Sequence, residues 1–171
     1  LLGRLAAKEA IGSLCKYTVP TAVLIENGVF QQPCISHPDL GSIQVSISHS
    51  GCFGAALSFP ESVPMAIDVE MLDESKRTTL EAQVAQKEQS FLLITELSLL
   101  TMLWAAKEAL SKVLRCGFMM SLELLEIANI AFHGVYVTFE FTHFYQYQAL
   151  AFPVEGAVCA IVYPKKTKLV I

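Results

Sequence analysis

The pentapeptide AAKEA is spelled twice in this chain, at Ala6–Ala10 and again at Ala105–Ala109. Each copy sits in a helical pattern. Leu2, Leu5, Ala6, Ile11 and Leu14 carry an apolar face over Leu1–Lys16. Phe91–Cys116 carries a longer one, with Gly117 placed to stop it. Each helix is followed by a strand with an xGV turn, first Asn27-Gly28-Val29 and then His133-Gly134-Val135. Each turn is followed in its own half by a glycine-led strand of small residues, GCFGAALSF from Gly51 and GAVCAIVYP from Gly156. Three features recurring in one order predict a duplicated unit. The fold class expected is α+β, with two similar lobes in a pseudo-two-fold arrangement. Each lobe would be a long helix packed on an antiparallel sheet, residues 1–64 forming the first and 65–171 the second.

The remaining pattern fills in the lobes. Thr21–Ile25, Ile43–Ser48, Cys52–Phe59 and Met65–Glu70 read as strands, and Gln31–Leu40, with two prolines, as an ordered loop. Asp73–Gln89 reads as a polar helix. Leu124–Phe132, Val135–Phe141, Tyr145–Phe152 and Ala157–Tyr163 read as strands, with a break at Pro153–Gly156.

Composition narrows the setting. The chain is 53% hydrophobic with a mean hydropathy of +0.49, which implies a large core and apolar surface that a partner or further chain would cover. The run Phe91–Leu103 is interrupted by Thr95, Glu96, Ser98 and Thr101, and it is shorter than the roughly 20 residues a spanning helix needs. No membrane span is expected. The first helix carries Arg4, Lys8 and Glu9 and lacks the apolar centre of a signal peptide. A net charge of −4 argues against nucleic acid as a partner. The five cysteines form no CxxC pair, as in a cytoplasmic protein with free thiols. A monomer, or a domain of a larger protein, is the expected state.

Several residues could carry chemistry. Asp68 and Glu70 lie two apart on one strand face. Like charges so close call for a cation between them, and a hard divalent ion such as Mg²⁺ suits the oxygens; an exposed strand rim is the alternative. Trp104, Glu108 and Lys112 share a stripe by i, i+4 spacing, either as a surface ion pair beside an anchored tryptophan or as part of a site. Ser48-His49-Ser50-Gly51 lies between two strands and could admit a phosphate or form a polar turn. A serine nucleophile is disfavoured, because no GxSxG elbow is present.

Four separated motifs agree in order and spacing: SISHSGCFGAALSF (Ser46–Phe59), AIDVE (Ala66–Glu70), QKEQSFL (Gln86–Leu92) and WAAKEALSKVLRCG (Trp104–Gly117). Together they resemble the 4′-phosphopantetheinyl transferases of the pseudo-dimeric, surfactin-synthetase-activating type. The resemblance implies transfer of phosphopantetheine from coenzyme A to a serine of an apo carrier protein, with release of adenosine 3′,5′-bisphosphate. It implies that Asp68, Glu70 and Glu108 hold Mg²⁺, that Glu108 is the base and that Lys112 neutralises the pyrophosphate. Ser48 and His49 would contact the nucleotide phosphates, with Lys107 and Arg4 as further contacts. The family's GKP loop appears here as Gln31-Gln32-Pro33, Ser46 stands where asparagine is frequent, and Ala66 stands where glycine is usual. The resemblance also implies a first lobe truncated at its start. The alternatives are a degenerate or truncated relative that binds coenzyme A or a carrier without turnover, and a metal-dependent nuclease. The nuclease reading is disfavoured by the acidic charge and by the helical spacing of Glu108 and Lys112.

Overall fold

Gly3, Ala7 and Ile11 recur every fourth residue and form the buried stripe of helix α1 (Leu2–Cys15). That stripe lies on a hairpin of β3 (Ile43–Ser50) and β4 (Phe53–Pro60). The approach is close at Gly54, where an added Cβ would stand 2.8 Å from Leu2 Cβ and 3.0 Å from the Gly3 nitrogen. The hairpin closes from Ser50 to Phe53 through two residues, the first being Gly51 at φ +57, a turn position that glycine occupies without strain. A smaller hairpin of β1 (Leu24–Asn27) and β2 (Pro33–Ser36) precedes it. This computed structural model describes residues 2–15, 23–29, 31–90 and 96–169.

The second half holds a five-stranded antiparallel sheet in the order β5-β9-β8-β7-β6. Its strands are β5 (Ala66–Met71), β6 (Ile127–His133), β7 (Tyr136–Phe141), β8 (Tyr147–Val154) and β9 (Ala157–Pro164). A short helix α2 (Arg77–Ala82) leads to α3 (Leu97–Val113), which lies across the sheet. Leu103, Ala106 and Leu110 of α3 share one buried core with Val137, Phe139 and Val162 of the sheet. A leucine buried this fully contributes about 2 kcal/mol. Phe59 at the end of β4 packs with Leu150 and Tyr163, so the first hairpin is joined to the large sheet by its own small core.

The mixed α+β class is as expected, and helix, hairpin, hairpin recurs in both halves. The halves differ in one respect. In the second, the two hairpins join through β7 and β8 into one sheet; in the first they remain separate two-stranded ladders. The first half therefore lacks the single sheet that duplication predicts, and β3 instead reaches β5 through its serine side chains.

Three local expectations are corrected. The stretch read as a loop contains β2, because Pro33 sits at the strand's first position, where its missing N–H is tolerated. The polar helix expected over Asp73–Gln89 is confined to Arg77–Ala82, flanked by 3₁₀ turns at Glu74–Lys76 and Glu88–Ser90. Glu88 is fully buried, and its burial draws the chain inward. Helix α3 stops at Val113, short of Gly117. Its end is a Schellman motif: the Cys116 N–H donates to the Ser111 carbonyl and the Arg115 N–H to the Lys112 carbonyl. Residues 1 and 16 of the expected first helix, 21–22 of the expected first strand and 91–95 of the expected long helix lie outside the described residues.

Candidate active site

Strand β3 runs beside β5 without a backbone ladder, and serines bridge the two. Ser46, Ser48 and Ser50 alternate along β3 and so face one way. Ser46 Oγ accepts from the Ile67 N–H at 3.1 Å, and Ser50 Oγ accepts from the Met71 N–H at 3.2 Å. These contacts satisfy donors that an edge strand would leave exposed. Ser48 Oγ donates to Asp68 Oδ1 at 2.7 Å, and Ser50 Oγ donates to Glu70 Oε2 at 3.1 Å. The serine comb therefore fixes both the register of β5 and the direction of its two carboxylates.

Helix α3 brings the third carboxylate. Asp68, Glu70 and Glu108 each present an oxygen within 4.8 Å of the other two. Lys112, one turn beyond Glu108, reaches Asp68 Oδ1 at 2.7 Å. Its remaining protons meet the carbonyls of Ile67 at 3.3 Å and Ile47 at 3.5 Å, so the ammonium's three donors are occupied. The ion pair that i, i+4 spacing offers between Glu108 and Lys112 is replaced by one between Lys112 and Asp68. Trp104, one turn before Glu108, is half-buried against the large core and anchors the helix.

The electrostatics of this cluster are those of a site missing a positive charge. Burial pushes the Asp68 carboxyl above its ordinary value, outweighing the Lys112 ammonium that lowers it. Asp68 Oδ2 is buried and has no hydrogen-bond partner, which is costly for a polar atom. Glu108 is pushed up to about 7, first by burial and then by the charge of Asp68. Three carboxylates with oxygens within 4.8 Å of one another, one of them with an orphaned buried oxygen, fit a hard divalent cation.

Beside the cluster a cleft of about 380 Å³ opens between the two halves. Gln31 and Gln32 before β2, Gln44 and Ser46 of β3, Met65, and Lys112 and Arg115 at the end of α3 line it. The cleft is within the range of small-ligand sites.

The residues singled out in the sequence fall into two groups. Asp68, Glu70, Glu108 and Lys112 converge. Ser48 joins them through Asp68, although it is buried and does not line the cleft. His49 and Arg4 are exposed and line no part of the cleft. Lys107 is turned elsewhere: it is 1% exposed and bonds Glu88 Oε2 at 2.7 Å and the Gln83 carbonyl at 3.0 Å. A lysine so enclosed cannot meet a nucleotide, and that assignment is corrected. Sequence reasoning placed Ser50 in the candidate phosphate turn and noted Ser46 only as a departure from the family pattern; it missed their bonds to β5, whose signal was the period-2 serine spacing, and it missed Arg115.

The family model described as the 4′-phosphopantetheinyl transferase superfamily matches residues 64–162. No match was found among curated proteins. The matched residues include all three carboxylates and Lys112.

Proposed function

The chain belongs to the 4′-phosphopantetheinyl transferase superfamily, and on that premise we propose that it moves phosphopantetheine from coenzyme A to a serine of an apo acyl or peptidyl carrier protein in a Mg²⁺-dependent reaction. The observation that carries this reading is the convergence of Asp68, Glu70 and Glu108 with an orphaned Asp68 Oδ2. These residues would hold Mg²⁺, which supplies charge neutralisation at the pyrophosphate. The cleft beside them would seat the nucleotide end of coenzyme A.

In the proposed reaction the carrier serine oxygen bonds to the β-phosphorus. The bond from that phosphorus to the bridging oxygen breaks, and adenosine 3′,5′-bisphosphate leaves. Glu108, the carboxylate brought by α3, would accept the serine proton. Lys112 holds Asp68 in place and adds positive charge next to the breaking bond. His49, exposed on β3 outside the cleft lining, would meet a phosphate only where the bound nucleotide extends past the cleft. Residues 1–64 and 65–171 would be lobes of the surfactin-synthetase-activating type, related by a pseudo-two-fold axis. The helix-hairpin-hairpin order in both halves supports that relation.

The test is incubation with coenzyme A, Mg²⁺ and apo carriers from fatty-acid, polyketide and peptide synthesis. The reading predicts a gain of one phosphopantetheine mass on at least one carrier, abolished by EDTA. No gain on any carrier contradicts transfer. A second reading, binding without turnover, is favoured by Gln31-Gln32-Pro33, which brings amides to the cleft where the family's loop has a lysine. Saturable coenzyme A binding with no transfer would select it.

A further inference from the structure

The five-stranded sheet has two edges, and the fold treats them differently. At β5 the serines of β3 take up the N–H groups of Ile67 and Met71. At β6 there is no such cover: among the described residues β6 pairs with β7 alone. Its sequence, IANIAFH, has no Lys, Arg, Asp, Glu or Pro, the residues that keep bare edges apart. Phe132 is 65% exposed, although it lies opposite Val137, a residue of the main core.

The backbone decides which residues a new strand would meet. The turn from β6 to β7 has two residues, Gly134 at φ +69 and Val135. In such a hairpin the flanking pair, His133 and Tyr136, exchanges both backbone bonds. Backbone groups alternate along a strand, so those of Ala131 also turn to β7, and those of Ile130 and Phe132 turn outward. A register shift between Ile127 and Asn129 ends the regular edge. What remains is Asn129–His133, NIAFH, which reads polar, apolar, small, apolar, polar in either direction. An antiparallel strand of the same sequence matches it position by position.

We propose that β6 pairs with β6 of a second copy of this chain, antiparallel about a two-fold axis at Ala131. Ile130 of each copy then lies opposite Phe132 of the other, and these are the residues whose backbone groups face outward. The two pairs supply about four backbone bonds. Ile130 already packs against the main core, so the exposed Phe132 of the second copy extends that core across the axis. Asn129 meets His133 on the opposite face, and Ala131 meets its mate without crowding. A slip of one residue sets Ile130 against Ala131 and loses the match. Charge favours the same occupant. Glu126 before β6 is paired with Lys87 at 3.5 Å, and Glu140 on β7 with Lys165 at 2.6 Å, so two chains of net charge −4 meet at neutral edges. The contact is far shorter than the roughly 20–30 residues a side of a standard interface, which makes the dimer weak and the expected monomer the state at low concentration. The carboxylates of β5 lie at the far edge of the sheet, about 19 Å away at the usual strand spacing. Pairing leaves them open, and the inference stands apart from the coenzyme A reading.

Sedimentation velocity of wild type and Phe132→Lys, from roughly 1 to 500 µM, tests this. Wild type should pass from monomer to dimer and no further, because a two-fold contact closes on itself. Phe132→Lys should weaken the dimer at least about tenfold, since it removes the aromatic member of both pairs and charges the edge. Because Phe132 is exposed, the variant should melt within about 2 °C of wild type, with unchanged transfer per chain. Cross-linking locates the axis. In a Cys52→Ser background, Ala131→Cys should form a disulfide-linked dimer with copper phenanthroline in air, and Val135→Cys, off the axis, should not exceed the Cys52→Ser parent. Wild type that stays monomeric throughout overturns the proposal, including the case in which β6 receives a strand of another protein. A dimer that Phe132→Lys leaves intact, or one without the Ala131→Cys cross-link, overturns it too. Should Phe132→Lys fail to fold, the cross-link decides alone.

Discussion

Replacing Glu108 with glutamine should make the metal-free protein more stable at pH 8 and the Mg²⁺-loaded protein less so. Glu108 is pushed from its ordinary 4.5 to about 7 in the fold. A raised carboxyl favours the neutral form, so its stabilisation is complete below the unfolded value and is lost as pH rises through the folded one. The window is therefore about pH 4.5 to 7, and above it the folded chain carries an unfavourable buried charge. Moving a carboxyl this far corresponds to a ceiling of about 3 kcal/mol. The side chain is only half-buried, and solvent screening reduces the figure to roughly 1–2 kcal/mol. For a domain of this size that is about 2–8 °C in melting temperature. Thermal melts in EDTA should show the variant above wild type at pH 8 and level with it near pH 4.5. With Mg²⁺ at 100 times its dissociation constant, wild type should gain about 2.7 kcal/mol, reversing the order. A variant that melts below wild type in EDTA at pH 8, or that gains equally from Mg²⁺, refutes the reasoning.

Other consequences are local. Lys107→Met leaves Glu88 buried without its cation, and urea unfolding should show a loss of about 3–5 kcal/mol. Residual transfer per folded molecule should be unchanged. Ser48→Ala frees Asp68 Oδ1 from one of its two side-chain partners, and Mg²⁺ affinity should fall about 10-fold or more in a metal titration. Burial pushes the Cys159 thiol up to about 12, while Cys52 is exposed. A disulfide reagent at pH 8 should label Cys52 and leave Cys159 unmodified until the chain is denatured, as peptide mass mapping would show.

The carboxylates were legible because their spacing is local. A period of two places Asp68 and Glu70 on one face, and a period of 3.6 places Glu108 and Lys112 on one stripe. Their convergence was not legible from spacing, because it depends on α3 crossing the sheet at β5. For the same reason the helix offered Lys112 to Glu108 while the fold gave it to Asp68. The resemblance offered Lys107 as a nucleotide contact beside Glu108. One residue turns an α-helix by about 100°, enough to carry its side chain into the core beside Glu88. Glu88 fell in the stretch read as a polar helix and in the motif QKEQSFL, and nothing nearby in sequence announces its buried partner 19 residues away. Strand β2 was hidden by prolines that a strand's first residue and a flanking turn both tolerate. No helix among the described residues is long and apolar enough to cross a membrane, consistent with the interrupted run before Trp104.

The account turns on the carboxylate cluster being a metal site. Titration of wild type and Asp68→Asn with Mn²⁺, followed by electron paramagnetic resonance, tests this directly. Asparagine keeps the shape of the side chain and removes the buried charge. The prediction is one Mn²⁺ bound per wild-type chain, displaced by Mg²⁺, with affinity reduced at least about tenfold in the variant. No bound Mn²⁺ in wild type, or equal binding by the variant, would contradict it.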